Sequence, residues 1–200
     1  MIAQGIFLSL LGTPPMITDD PGTVEDKVFE IETGQEFMDS ESGYFQWKFG
    51  FADRLEFDMA VPWHLGENRD VDQLELSSKW AFFAPEGEKL PGFSLAATWV
   101  PGVSSFGLCG ITGYNIGPVE LLGNVWWEQS NPTAGWGLAG VFSPTQLFSL
   151  GLEITGEDDL TAGGGVRLFP KDFLMLDAGY HITMSEESQS VGTVGLIVDF

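Results

Sequence analysis

Positive charge is scarce in this sequence. Eight Lys and Arg residues stand against 29 Asp and Glu residues, so the formal net charge at pH 7 is −21. A chain with this balance repels nucleic acids and anionic membrane surfaces, because both carry dense negative charge. Nucleic acid is therefore excluded as a partner, and we expect the carboxylates to lie in water-exposed loops or in a polar interior.

Cysteine and histidine are nearly absent. The one cysteine, Cys109, can form neither an intrachain disulfide nor a cysteine-based metal site. The two histidines, His64 and His181, are far apart in the chain. A Ser–His–Asn arrangement for hydrolysis would need a serine beside His181, and nothing in the sequence places Ser149 or Ser190 there. We expect no catalytic residues, no metal and no cofactor, so the protein is not predicted to be an enzyme.

Long apolar runs are missing too. No run reaches the roughly 20 apolar residues that a membrane helix requires. The run from Met1 to Leu11 resembles the core of a signal peptide, but it lacks a basic start and an Ala-x-Ala-like cleavage site. Two interpretations of residues 1–24 stay open: a remnant signal peptide, or a segment that plugs the fold. Residues 25–200 are predicted to form one domain.

Short alternating runs fill the chain from Lys27 to Phe200. Apolar and polar residues alternate between clusters of Gly, Pro, Asp and Ser, which is the period-two pattern of strands with two unlike faces. Most runs are near the ~9–11 residues with which a tilted strand crosses a bilayer. We predict about twelve strands, with 106–129 as either one hairpin or a longer irregular strand: 27–38, 43–51, 54–63, 73–83, 93–101, 106–117, 118–129, 134–143, 146–156, 160–169, 172–184 and 190–200.

Alternation alone also fits a secreted, soluble β-sandwich that binds glycans through exposed tryptophans. The distribution of aromatic residues favours a membrane protein instead. If the C-terminus lies on the periplasmic side, tryptophans fall at the outer strand ends and phenylalanines at the inner ends. Aromatic rings settle at the headgroup level of both interfaces of a transmembrane barrel. The predicted interface aromatics are Trp63, Trp99, Trp127, Trp136, Phe51, Phe82, Phe142, Phe148 and Phe200.

The connections and the C-terminus point the same way. The predicted inner turns are compact, whereas outer connections carry acids, as at 157–159 and 186–187. Phe200 closes a strand with Val194, Leu196 and Val198 at alternate positions, a pattern similar to the signature that the outer-membrane insertion machinery reads. We therefore predict an all-β fold, a closed antiparallel transmembrane β-barrel with short loops, in contact with lipid in the bacterial outer membrane. Closure pairs every backbone group and leaves no free edge.

The polar face of these strands is predicted to line the barrel interior, the lumen. An excess of carboxylates along a water path favours cations. Equal weight goes to the alternative that ion pairs fill a small barrel. Strands eight to ten offer the lumen mostly small residues, including Gly163 and Gly165, so that wall is bare unless residues 1–24 fill it. The predicted lumen residues are Glu30, Glu32, Glu36, Lys48, Glu56, Asp58, Glu75, Lys79, Glu120, Glu153, Arg167, Asp177 and His181.

Two stretches carry a resemblance to a known family. Thr18-Asp19-Asp20-Pro21-Gly22-Thr23 precedes the first predicted strand, and Gly50-Phe51-Ala52-Asp53-Arg54-Leu55-Glu56 joins the second to the third. Both are similar to elements of the outer-membrane family named for the MetA pathway of phenol degradation. The resemblance covers about residues 15–62 and implies a barrel with a passive transport role.

The sequence therefore predicts a passive channel for a small-molecule solute, with cations and hydrophobic or aromatic compounds as the candidates. The alternative is a non-conducting structural barrel with a filled lumen, whose acidic rim binds a partner.

Overall fold

The computed structural model describes residues 18–38, 42–64, 73–83, 90–129, 134–185 and 188–200. The predicted apolar run at 1–11 and the predicted acidic connection at 186–187 lie outside them. No helix in the described ranges is long and apolar enough to cross a bilayer. The described residues form twelve strands: β1 (Phe29–Met38), β2 (Ser42–Ala52), β3 (Leu55–His64), β4 (Glu75–Phe83), β5 (Gly92–Val100), β6 (Ser105–Ile116), β7 (Val119–Glu128), β8 (Ala134–Thr145), β9 (Phe148–Gly156), β10 (Leu160–Lys171), β11 (Leu174–Met184) and β12 (Gln189–Asp199).

Each strand pairs antiparallel with its sequence neighbours, and β1 pairs with β12 to close the barrel. The closing ladder sets Glu30 opposite Asp199 and continues to Met38 opposite Val191. It extends one step further, because the Phe200 amide donates to the Phe29 carbonyl at 2.8 Å. The predicted closed antiparallel barrel of twelve strands is confirmed, and the 106–129 region is one hairpin.

The outward face of the barrel wall is apolar and the inward face is polar, which is the arrangement that a barrel in lipid requires. On β9, Leu152 is 74 % exposed and points outward, whereas its neighbour Glu153 is 6 % exposed and points inward. The same alternation places Glu32 and Glu56 inside and Phe57 outside. A soluble sandwich would bury its apolar face, so the interpretation as a soluble glycan-binding sandwich is wrong. A closed barrel with an apolar outer band and a polar interior is the arrangement that transmembrane barrels use.

Large rings on several strands lie over glycines of the adjacent strand. A Cβ atom added at Gly34 would meet the ring of Tyr44 on β2, and one added at Gly156 would lie 2.8 Å from the Trp136 indole. The glycine leaves the space that the neighbouring ring fills, which fixes the register of the two strands. The same relation holds for Trp63 over Gly43, Trp126 over Gly135 and Phe37 over Gly192.

The outward face generates a prediction about membrane depth. Leu152 lies at the middle of β9, and Leu147 lies in the turn that precedes it; both are exposed. Leu152→Arg should lower the free energy of unfolding by roughly 2–4 kcal/mol, because it sets a charge near the bilayer midplane. Leu147→Arg, the matched control near the interface, should cost roughly 0–1 kcal/mol. Reversible urea unfolding in lipid vesicles measures both, and equal costs would contradict a membrane-spanning β9.

Candidate functional site: the lumen

Charged side chains line the lumen along β1 to β4. Lys48 Nζ lies 2.9 Å from Glu30 Oε1 and 2.7 Å from Glu32 Oε2, and the Tyr44 hydroxyl donates to the other Glu32 oxygen. Asp58 accepts a hydrogen bond from Ser77 at 2.9 Å. Alternation in β1 and β2 puts these groups on one face, and antiparallel pairing sets Lys48 directly opposite both Glu30 and Asp58. Desolvated charges are stable only when paired in this way.

Apolar side chains line the next part of the wall. Ala96, Cys109, Ile111 and Trp126 form one buried cluster on β5 to β7. A second cluster on β7 and β8 joins Leu122, Ala139 and Val141. This apolar surface was missed from the sequence, because Gly and Thr blur the alternation in β6. The available signal was the spacing: Leu122 and Trp126 are each two residues from the polar Asn124, so the three side chains lie on one face of β7.

The glycine-rich wall allows a contact across one strand. Glu153, Gly163 and His181 are direct partners in successive ladders of β9, β10 and β11. Because Gly163 has no side chain, the His181 ring lies over it, and His181 Nε2 lies 2.7 Å from Glu153 Oε1. Sequence reasoning placed His181 on the same strand face as Asp177 and did not find Glu153 as its partner. This wall is therefore covered at Gly163 rather than bare.

The remaining predicted lumen residues lie on the same inward face. Arg167 of β10 is the register partner of Asp177 on β11. The Glu36 carboxylate accepts a hydrogen bond from the Ser42 hydroxyl. Glu75 is buried at the start of β4, and Glu120 is half-buried on β7.

Residues 18–25, here called the crossing segment, precede β1 and are joined to it by a tight turn. The Val28 amide donates to the Glu25 carbonyl at 3.0 Å, and the Lys27 amide donates to the Gly50 carbonyl at 2.8 Å. Lys27 has a φ of 66°, in the left-handed region that a non-glycine residue adopts mainly in turns. This turn sends the preceding chain back over Gly50, where a Cβ would meet the carbonyls of Val24 and Glu25.

The crossing segment is bound first by β3 and β4. The Val24 amide donates to Glu56 Oε2 at 2.5 Å. Asp19 Oδ2 accepts from Lys79 Nζ at 3.1 Å, and the same ammonium lies 3.7 Å from Glu56 Oε1. Glu56 and Lys79 are register partners on the inward face, so the segment lies inside the barrel.

The other end of the crossing segment reaches β7 and β9. The Thr18 amide donates to Glu153 Oε2 at 2.8 Å, whereas His181 contacts the other oxygen, Oε1. Asn124, with its amide oriented to match its partners, accepts from the Asp19 amide at 2.6 Å and donates to the Asp19 carbonyl at 3.1 Å. In a ring of twelve strands β3 and β9 are opposite each other, so the segment crosses the lumen.

The predicted interface aromatics lie at the two ends of the barrel. Tryptophans 63, 99, 127 and 136 lie near the strand ends at one rim. Phenylalanines 51, 82, 142, 148 and 200 lie toward the opposite rim, where Phe200 is 71 % exposed. Phe82 stacks on Trp80 with the ring centroids 4.9 Å apart.

The hydrolytic arrangement considered from the sequence needs a serine beside His181. His181 contacts Glu153, and Ser149 shares a hydrogen bond of 2.8 Å with Ser143. Among the residues that the structure describes, no group of three His, Cys, Asp or Glu side chains has an arrangement that could hold a metal ion.

Several solved outer-membrane porins have a similar barrel. A KdgM porin structure aligns with a TM-score of 0.71 at 9 % identity, covering 86 % of this chain and 99 % of that chain. A KdgM porin in complex with disordered oligogalacturonate gives 0.65 at 11 % identity over 86 % and 99 %. The NanC porin gives 0.61 at 6 % identity over 85 % and 98 %.

No family model matches the chain, and no curated protein sequence matches it. The porin likenesses show the fold, and the chain has the barrel architecture of outer-membrane porins. The resemblance to the phenol-degradation family stays a prediction.

The glycine at the centre of the His181 contact gives a testable prediction. Gly163→Ala should destabilise the barrel by about 1–3 kcal/mol, because the new methyl group would overlap the His181 ring and push it from Glu153. Gly140→Ala is the control, since its Cβ would meet Leu121 at an ordinary 3.9 Å. Denaturant unfolding measures both variants. A neutral Gly163→Ala would contradict the packed position of His181.

Proposed function

We propose that this protein is a passive channel for small solutes in the bacterial outer membrane. The observation that carries the proposal is the closed twelve-strand barrel of the described residues, which is apolar outside and charged inside. Its outer band fits lipid, and its interior offers hydrogen-bonding groups to water and solutes. The similarity to porins supports the same role. Phe200, exposed at the end of the closing ladder, is the proposed contact for the insertion machinery.

Cations are the favoured solutes. The inward face carries many carboxylates, whereas the basic side chains described there are Lys48, Lys79 and Arg167. A lumen with an excess of carboxylates attracts cations as counter-ions. Hydrophobic or aromatic compounds are the second candidate class, supported by the apolar clusters on β5 to β8 and by the resemblance to the phenol-degradation family.

The crossing segment acts as a plug in this proposal. Its contacts with Glu56, Lys79 and Glu153 tie it to opposite walls, so it narrows the path between them. These contacts support the plug interpretation for residues 18–24, the part of residues 1–24 that the structure describes. The open state is then the one in which the segment has left its partners.

Conductance of the full-length protein in a planar bilayer tests the channel and the plug together. The double variant Thr18→Pro and Val24→Pro removes the two amide hydrogens that Glu153 and Glu56 accept, and it changes no barrel residue. Each bond to a charged acceptor contributes about 1.5–3 kcal/mol, so the variant should raise the open probability at least about tenfold. The control, Thr18→Ala with Val24→Ala, keeps both amide hydrogens and should behave like the unmodified protein.

The alternative function is a structural barrel with a permanently filled lumen, which the dense ion pairs around Lys48 and Lys79 favour. A silent bilayer for both the unmodified protein and the proline variant, with insertion confirmed by protease protection, would support that alternative and overturn the channel.

Ion selectivity provides a separate prediction. Under a salt gradient the reversal potential should show a preference for cations. Glu36→Gln should reduce that preference, because Glu36 lies on the inward face of β1, where its carboxylate accepts a hydrogen bond from the Ser42 hydroxyl. Asp158→Asn is the control of equal charge change, since Asp158 is exposed in the connection between β9 and β10. Anion preference in the unmodified protein, or an equal effect of the two variants, would contradict an acidic lumen as the selectivity filter.

A further inference from the structure

The crossing segment is held in the lumen as a peptide ligand is held by a receptor. Three barrel side chains bind its main chain: Glu153 at the Thr18 amide, Asn124 at both the amide and carbonyl of Asp19, and Glu56 at the Val24 amide. Main-chain groups are common to all peptides. These contacts therefore recognise a peptide backbone rather than one particular sequence.

Two further contacts recognise side chains. Lys79 lies 3.1 Å from the Asp19 carboxylate, which selects an acidic residue at that position. Pro21 is buried, and its ring lies against Gly113, where a Cβ would be 2.8 Å from the proline Cδ. Leu122 also lies beside Gly113, so Pro21 is next to the apolar cluster of β7 and β8. The site therefore accepts an acidic residue followed two positions later by a compact apolar residue.

Departure of the crossing segment would remove one partner from each of these groups. Glu56 and Glu153 would each lose an amide donor, and Lys79 would lose the Asp19 carboxylate and keep only its more distant contact with Glu56. A metal cation could pair with the glutamates, but it would offer nothing to Lys79 or to the Asn124 amide. An acidic peptide supplies main-chain donors, a main-chain acceptor and a carboxylate together.

We propose that the lumen is a binding site for oligopeptides that carry an acidic residue, and that such a peptide exchanges with the crossing segment. The inference rests on the proposed channel, because the ligand must enter the lumen. It makes the crossing segment an internal competitor that occupies the site until an external peptide displaces it.

Binding of a labelled peptide to the full-length protein in detergent tests the inference. The probe is the peptide Thr-Asp-Asp-Pro-Gly-Thr-Val, capped at both ends and labelled with a fluorophore, with anisotropy as the readout. The unmodified chain should bind it about tenfold more weakly than the Thr18→Pro and Val24→Pro variant, because its own segment competes. Circular dichroism checks that both proteins are refolded as β-barrels.

A second peptide, with Asn in place of the first Asp, isolates the charge contact. It should bind the proline variant about tenfold more weakly than the acidic peptide does. Adding Lys79→Gln to the proline variant should remove that difference, since the carboxylate then has no ammonium partner. Absence of saturable binding to the proline variant, or equal affinity for the two peptides, would overturn the inference.

Peptide binding and channel function are tested by different measurements, so one can fail without the other. Anisotropy in detergent needs no ion flow, so a silent bilayer with saturable acidic-peptide binding would overturn the channel and leave the site. Conductance without peptide binding would overturn the site and leave the channel.

Discussion

The need to pair every backbone hydrogen-bonding group in lipid is the constraint on which the rest of this structure depends. Twelve short strands among the described residues satisfy it only as a closed ring, so β1 must meet β12, and the ladder runs from Glu30 to Met38. Closure then creates an interior. Because lipid accepts only the apolar face of each strand, the charged face is confined to that interior.

Because the charged side chains are confined to the interior, they must pair with one another there. Lys48 forms ion pairs with Glu30 and Glu32. Lys79 forms ion pairs with Asp19 and Glu56. Carboxylates still outnumber the basic side chains in the lumen. The crossing segment supplies hydrogen-bond donors to two of these carboxylates, because its amide hydrogens bind Glu56 and Glu153. Stability of the lumen therefore depends on these hydrogen bonds, and in the proposed channel the same bonds hold the path closed.

Most of the fold could be predicted from local pattern. Each of the twelve predicted strands lies within two residues of its observed bounds, because a period of two and a turn cluster are both local signals. The same alternation predicted which side chains face outward, and it placed Leu152 outward and Glu153 inward correctly. The partners inside the lumen could not be predicted in this way. Glu153 and His181 are 28 residues apart and meet only because ladder register sets both beside Gly163.

The sequence by itself determined the class of fold, the strand number, the apolar outer face and the acidic character of the interior, since each depends on residue type and short-range spacing. Only the tertiary structure decided where residues 18–25 lie and which carboxylates receive their amides. Thr18 and Glu153 are 135 positions apart, and their contact exists because closure brings β9 opposite β3 across a lumen narrow enough for one chain to span. No local pattern encodes that distance.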